Sequence, residues 1–201
     1  RLEKVIEQFK KKFPEILLSI DTRKSQVMDF SIKKDADIIN DVSCFRFDPK
    51  SFSVVKNKNL WKIVHHMQGT PQTMQINPLY NHVLLDIYDF FENQIKKFKS
   101  ERYNRKIILD PGIGFGKNLK HNLMILKKIS VFHSLGFPVL IGPSRKRFIG
   151  QISGPFDTKE RLGGTLSTIL FSLSQGVRIF RVHNVEEVKQ GILLYETLIN
   201  K

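Results

Sequence analysis

Apolar positions recur along the chain at two spacings, and the two alternate. Leu2, Val5, Ile6 and Phe9 fall at helical intervals and Pro14 stops the run, predicting a helix over 2–12. Short, nearly continuous apolar runs such as "ILLSID", "DIINDV", "LWKIVHH", "PVLIG" and "VRIFRV" read as strands buried on both faces. The pattern predicts strands over 16–21, 37–42, 60–66, 106–110, 138–142 and 177–182. Helices are predicted over 25–34, 48–55, 78–101, 122–133, 158–174 and 186–199. The helix over 78–101 places Val83, Ile87, Phe90, Phe91, Ile95 and Phe98 on one face. Asp157 or Thr158 caps the helix over 158–174, and "SRKR" (144–147) precedes an apolar turn.

One leading helix followed by six βα units is an α/β pattern, giving either a doubly wound sheet or a (β/α)₈ TIM barrel. Every strand ends in polar or glycine-rich sequence: Asp21-Thr22, Asn40-Asp41, His65-His66, Asp110-Pro111-Gly112, Gly142 through Lys146, and Arg181-His183. A barrel opens all its strand C-termini onto one face, whereas an open sheet gathers two or three at its switch point. The barrel accounts for six such ends better. It needs eight units and the chain supplies six, within a single domain over 1–201.

Composition narrows the function less than the pattern does. The 201 residues carry 33 Lys and Arg against 19 Asp and Glu, a net charge of +14. That balance suits nucleic acid, a membrane surface or an anionic small substrate. The lysines are scattered, with runs at 10–12 and 96–99 that fit solvated helix faces, and no nucleic-acid-binding signature accompanies them. No apolar run approaches a membrane span and no signal-peptide pattern opens the chain. A single cysteine, Cys44, excludes an intrachain disulfide and fits a reducing cytoplasm. The chain opens on Arg inside a helix, the pattern of a processed product, a fragment or the later part of a longer polypeptide.

The stretch "LDPGIGFGKN" (109–118) brings together a carboxylate, three glycines, an aromatic ring and a lysine. It is not a P-loop, because three residues separate Gly112 from Gly116 and Asn118 follows Lys117 where Ser or Thr would hold a metal. Nor is it a dinucleotide fingerprint, whose third glycine would fall at Lys117. Lys117 reads as a surface or rim cation. Arg181 and His183, one residue apart on the last strand, point the same way and make an anion site. His65 and His66 are adjacent on a strand and point to opposite faces, so they do not share a metal ion. Asp37 and Asp41 read as helix-cap or loop carboxylates.

Seven motifs in order then become specific: "SIDT" (19–22), "ADIINDVS" (36–43), "HMQGTPQTMQ" (66–75), "LDPGIGFGKNLKHN" (109–122), "SRKRFIG" (144–150), "ERLGGTL" (160–166) and "RVHNV" (181–185). Together they resemble the dihydropteroate synthase family, along essentially the whole chain. The family is a transferase of folate biosynthesis that condenses 6-hydroxymethyl-7,8-dihydropterin pyrophosphate with p-aminobenzoate, giving 7,8-dihydropteroate and pyrophosphate. The resemblance implies that Asp21, Asn40, Asp110 and Lys146 bind the pterin, and that Asp21, Lys146 and Arg181 serve catalysis. It implies Phe115, Ser144 and Arg147 for p-aminobenzoate, and Arg181 and His183 for pyrophosphate. A flat heterocycle edged with donors and acceptors calls for such carboxylates, an amide and one cation.

Two departures stand out. Asn184 replaces the Asp that usually follows the histidine, and Arg147 stands where many relatives have Ser. The family's magnesium-binding Asn loop and its Ser-Thr-Arg-Pro segment, on its first two strands, have no counterpart here. The six units then correspond to strands 3–8, Mg²⁺ is implied without its usual ligand loop, and no metal ligand is assigned in this chain. An upstream segment completing the barrel, a fusion to a pterin kinase, or a decayed relic would each fit. The resemblance implies a cytoplasmic enzyme of small-molecule substrates, without nucleic acid or membrane, and leaves a homodimer open. A pterin-dependent methyltransferase is the alternative enzyme, though it has no pyrophosphate to hold. An inactive pterin binder or a basic binding protein is the alternative of another class.

Overall fold

The computed structural model describes residues 2–99, 103, 105–154 and 157–199. The chain divides into two compact units, residues 1–67 with 88–110, and residues 68–87 with 111–201.

The first unit opens with α1 (Leu2–Lys12) and is built on β1 (Ser19–Asp21), β2 (Ile38–Asp41), β3 (Trp61–His65) and β4 (Ile107–Asp110). These four strands form one sheet in chain order, every pair parallel. Ile39, Val64, Ile107 and Leu109 are fully buried, as the continuous apolar runs predicted. Parallel strands need a crossover, supplied by α2 (Ser25–Lys33), α3 (Ser51–Val55) and α4 (Val83–Phe98), which belongs to this unit from Tyr88 onward. On α4, Phe91 and Phe98 are fully buried, each contributing roughly 1.5–3 kcal/mol. Phe98 meets Phe52 at 4.9 Å and Phe45 at 6.2 Å between ring centroids. The expected end of this helix at residue 101 lies outside the described residues, and its first turn starts five residues later than expected.

The register sets out the functional edge. Asp21 pairs with Asn40, Asp41 with Val64, and His65 with Asp110. Because the strands are parallel, Asp21, Asn40 and Asp110 share the C-terminal edge of this sheet.

Lys62 lies at the other end of β3, fully buried. Its ammonium donates to the Lys58 carbonyl at 2.7 Å and sits 5.9 Å from the Tyr103 ring centroid. Burial, helped by the neighbouring charge of Lys106, pushes its pKa down to about 8. The charged form therefore opposes folding at neutral pH. Between pH 8 and the ordinary lysine value of 10.5 the unfolded chain binds more protons, so stability from this group rises with pH across that window. Lys62→Met should stabilise the protein by on the order of 1 kcal/mol at pH 7, the relief being partly offset by the stranded Lys58 carbonyl. Urea denaturation at pH 7 and pH 10 should show that gain shrinking at the higher pH.

The second unit contains α5 (Leu119–Lys127), β5 (Leu140–Ile141), α6 (Arg147–Ser153), α7 (Leu162–Ser174), β6 (Ile179–Phe180) and α8 (Val185–Ile199). β5 and β6 pair in parallel, Leu140 with Ile179 and Ile141 with Phe180. Three expectations change here. The helix expected over 122–133 starts earlier, because the Asn118 side chain accepts the His121 N–H at 2.9 Å and caps it. It also stops at Lys128 (φ −129°, ψ 27°), and a 3₁₀ turn over Ile129–Leu135 follows. The apolar stretch after "SRKR" is a helix, α6, with Phe148 and Ile149 buried. A 3₁₀ turn over Thr158–Glu160 precedes α7, with the Asp157 N–H donating to Glu160 at 2.9 Å.

Candidate active site

The first unit carries an acid–amide pair. Asn40, 2% exposed, donates its Nδ2 to Asp21 Oδ2 at 2.6 Å. The bond fixes the orientation of the amide. Asp21 itself is exposed at the end of β1, and Asp110 is buried at the end of β4. The His66 N–H donates to the Asp110 backbone carbonyl at 2.9 Å, and His65 Nε2 stands 3.9 Å from the Asp110 carboxylate.

The two histidines part as strand geometry requires. His65 Nδ1 lies 3.2 Å from the Val42 carbonyl, while the His66 ring packs edge-on against Phe90 at 4.9 Å. Asp41 shapes the following loop. It accepts from Ser43 N, Ser43 Oγ and Phe45 N at 2.7, 2.6 and 3.0 Å, and burial pushes its carboxyl up against the pull of those bonds. Asp37 likewise serves structure, accepting the Leu18 N–H at 2.7 Å and pairing with Lys10.

In the second unit the turn over 111–117 carries left-handed backbone at Gly112, Gly114 and Gly116, with φ of 67°, 81° and 64°. At Gly116 glycine is needed for space as well as for φ: a Cβ there would lie 2.5 Å from the Gln68 carbonyl oxygen. The Lys146 ammonium lies 4.1 Å from the Phe115 ring centroid, a cation–π contact that holds the two together. Lys117 is not the rim cation its sequence context suggested. It is 3% exposed and donates to the Phe115 carbonyl at 2.9 Å, so it braces the turn.

The same turn is clamped from residues 68–80, which the sequence reading left without a role. Gln75 Nε2 donates to the Gly114 carbonyl at 2.8 Å and Tyr80 Oη to the Gly116 carbonyl at 2.7 Å. Burial holds the Tyr80 phenol above its usual range, so it stays a donor. A cleft of about 180 Å³ results, lined by Gln75, Lys117, Asn118, Lys146, Arg147 and Gln151 among others. Its charged lining is wholly cationic, which suits a small carboxylate.

Arg181 and His183 were expected on the last strand, but β6 ends at Phe180 and both lie in the loop beyond it. Arg181 is held by its N–H to the Ile141 carbonyl at 2.9 Å. Ser144, expected beside p-aminobenzoate, shares its Oγ with His183: 2.9 Å to Nδ1 and 3.3 Å from the His183 N–H. The hydroxyl meets both the backbone N–H and Nδ1, which fixes the orientation of the imidazole. Ser144 thereby orients His183.

A family model described as a pterin-binding enzyme matches residues 1–183. The chain belongs to the pterin-binding enzyme family. Among its relatives, a dihydropteroate synthase of Escherichia coli (strain K12) is 36% identical over 203 residues, covering 100% of this chain and 70% of that one. A crystal structure of dihydropteroate synthase from Thermus thermophilus in complex with 6HMPPP superposes with a TM-score of 0.90 at 34% identity, over 98% of this chain and 77% of that one. The same enzyme in complex with 4-aminobenzoate gives 0.90 at 34% identity, over 98% and 75%. The fold class of this pterin-binding chain is thus the (β/α)₈ barrel that the polar strand ends suggested, represented by six βα units.

Proposed function

We propose that the chain acts as a dihydropteroate synthase, joining 6-hydroxymethyl-7,8-dihydropterin pyrophosphate to p-aminobenzoate in folate biosynthesis. The observation that carries this reading is the likeness to the E. coli dihydropteroate synthase along the whole chain. The Asp21–Asn40 pair and Asp110 on one sheet edge supply the chemistry a pterin needs.

In the reaction the arylamine nitrogen forms a bond to the pterin's exocyclic methylene as the bond from that carbon to diphosphate oxygen breaks. The bonding electrons leave with pyrophosphate, and the amine gives up one proton. Asp110 and Asn40 hold the pterin edge through its N–H and amino groups. Asp21, fixed by Asn40, stabilises positive charge that grows on the pterin as the bond breaks. Lys146 donates to a ring acceptor, and Arg147 receives the arylamine's carboxylate beside Phe115. Arg181 meets the diphosphate with its planar fork and His183 with its imidazole, so negative charge is met where it develops. The protein's part is positioning and electrostatics.

Magnesium is implied by the resemblance alone, and among the described residues no group of three His, Cys, Asp or Glu side chains is placed to hold an ion. No step is assigned to it. No helix among the described residues is long and apolar enough to cross a membrane, and we place the reaction in the cytoplasm, in keeping with the buried, free Cys44.

A pyrophosphate-release assay on this chain and on an upstream-extended form tests the reading, with turnover expected of the extended form. Release should require p-aminobenzoate and match dihydropteroate formed one for one. Uptake of dihydropterin pyrophosphate with no amine-dependent release would reduce the protein to a pterin binder.

A further inference from the structure

The loops after β5 and β6 are fastened together by a residue that has no place in the reaction as described. Arg145 Nη2 donates to Asn184 Oδ1 at 2.7 Å, and Asn184 Nδ2 donates in turn to Glu187 at 2.9 Å. Asn184 directly follows His183, and the contact spans 39 residues of sequence. Arg145 itself is held by its N–H to Thr165 Oγ1 at 3.0 Å and by Arg161 Nη1 donating to its carbonyl at 3.2 Å. Its backbone is left-handed, φ 59°, a conformation that side-chain-bearing residues rarely adopt. Its Nε is buried with no hydrogen-bond partner among the described residues.

A glycine would take this φ without strain. The strain and the buried Nε are tolerated at a residue whose one side-chain acceptor in another loop is the neighbour of His183. Ser144, next to Arg145, grips His183 itself. Adjacent residues of one loop thus hold adjacent residues of the other. We propose that Arg145 is a positioning residue for the diphosphate: through Asn184 it holds the 181–184 loop so that Arg181 and His183 are set before the ligand arrives. The assignment rests on the functional reading above. It concerns geometry and not contact, since the Arg145 guanidinium is committed to Asn184.

Calorimetric titration with inorganic pyrophosphate and, separately, with 6-hydroxymethylpterin tests it. Arg145→Gly removes the side chain while relieving the backbone, so it separates positioning from stability. Asn184→Ala cuts the same link from the other side and decides the matter if the first variant folds poorly. Both should weaken pyrophosphate binding about tenfold, as expected when an anion site loosens by a fraction of an ångström. Pterin affinity should stay within about twofold, and Arg145→Lys should recover part of the loss. Equal pyrophosphate affinity in wild type and both variants would overturn the assignment alone, as would pterin and pyrophosphate affinities falling together with the melting temperature. Wild-type protein that takes up no pyrophosphate would overturn the functional reading along with it.

Discussion

Gly116→Ala should be among the most damaging single-methyl substitutions in the protein. Two costs coincide there. The residue sits at φ 64°, where a side chain costs about 1 kcal/mol. The new Cβ would also lie 2.5 Å from the Gln68 carbonyl oxygen and 2.9 Å from Gln68 N, well inside any tolerable contact. The obstacle is backbone, and it cannot retreat cheaply. Gln68 is pinned by Nε2 donating to the Leu79 carbonyl at 2.6 Å and by the Leu79 N–H to its Oε1 at 2.9 Å. We expect a loss of roughly 2–4 kcal/mol and, because Phe115 and Lys117 flank the site, weaker p-aminobenzoate binding. Gly136→Ala is the control: its φ is 77°, but nothing lies within 4 Å of the added methyl. Urea denaturation should place Gly116→Ala clearly below Gly136→Ala. Equal losses would mean that only backbone conformation matters at residue 116.

Asp110→Asn should spare the fold and damage pterin binding. The side chain is 1% exposed at the end of β4, and the amide is nearly isosteric with the carboxylate. What changes is chemistry. A carboxylate accepts with both oxygens, whereas the amide turns one acceptor into an NH₂ facing the pterin's own donors. Losing a charge-assisted hydrogen bond costs roughly 1.5–3 kcal/mol, one to two decades in affinity.

The sequence disclosed the elements that local pattern determines and concealed those that depend on distant partners. That Asp21, Asn40 and Asp110 share one sheet edge was legible because each closes or nearly closes an apolar strand, and parallel register then aligns those ends. Asp41 was readable as a loop carboxylate because it bonds to residues two and four positions on. The burial of Lys117 was not readable, since the clamp on its turn comes from Gln75 and Tyr80, 36 to 39 residues away from their partners. Ser144 and His183 were assigned to different substrates for the same reason: the bond joining them spans 39 residues. The α6 helix was overlooked because Gly150 interrupts a seven-residue element whose buried positions, Phe148 and Ile149, are adjacent and show no helical period. Lys62 lies inside the run read as a strand buried on both faces, and only the structure shows its ammonium buried with it.

Titrating dihydropterin pyrophosphate into wild-type and Asp110→Asn protein by calorimetry tests the central claim, that the C-terminal edge of the four-stranded sheet reads the pterin. The account predicts saturable binding by wild type and an affinity about 10–100-fold lower in the variant, with an unchanged urea midpoint. Equal affinity in the two proteins would contradict it.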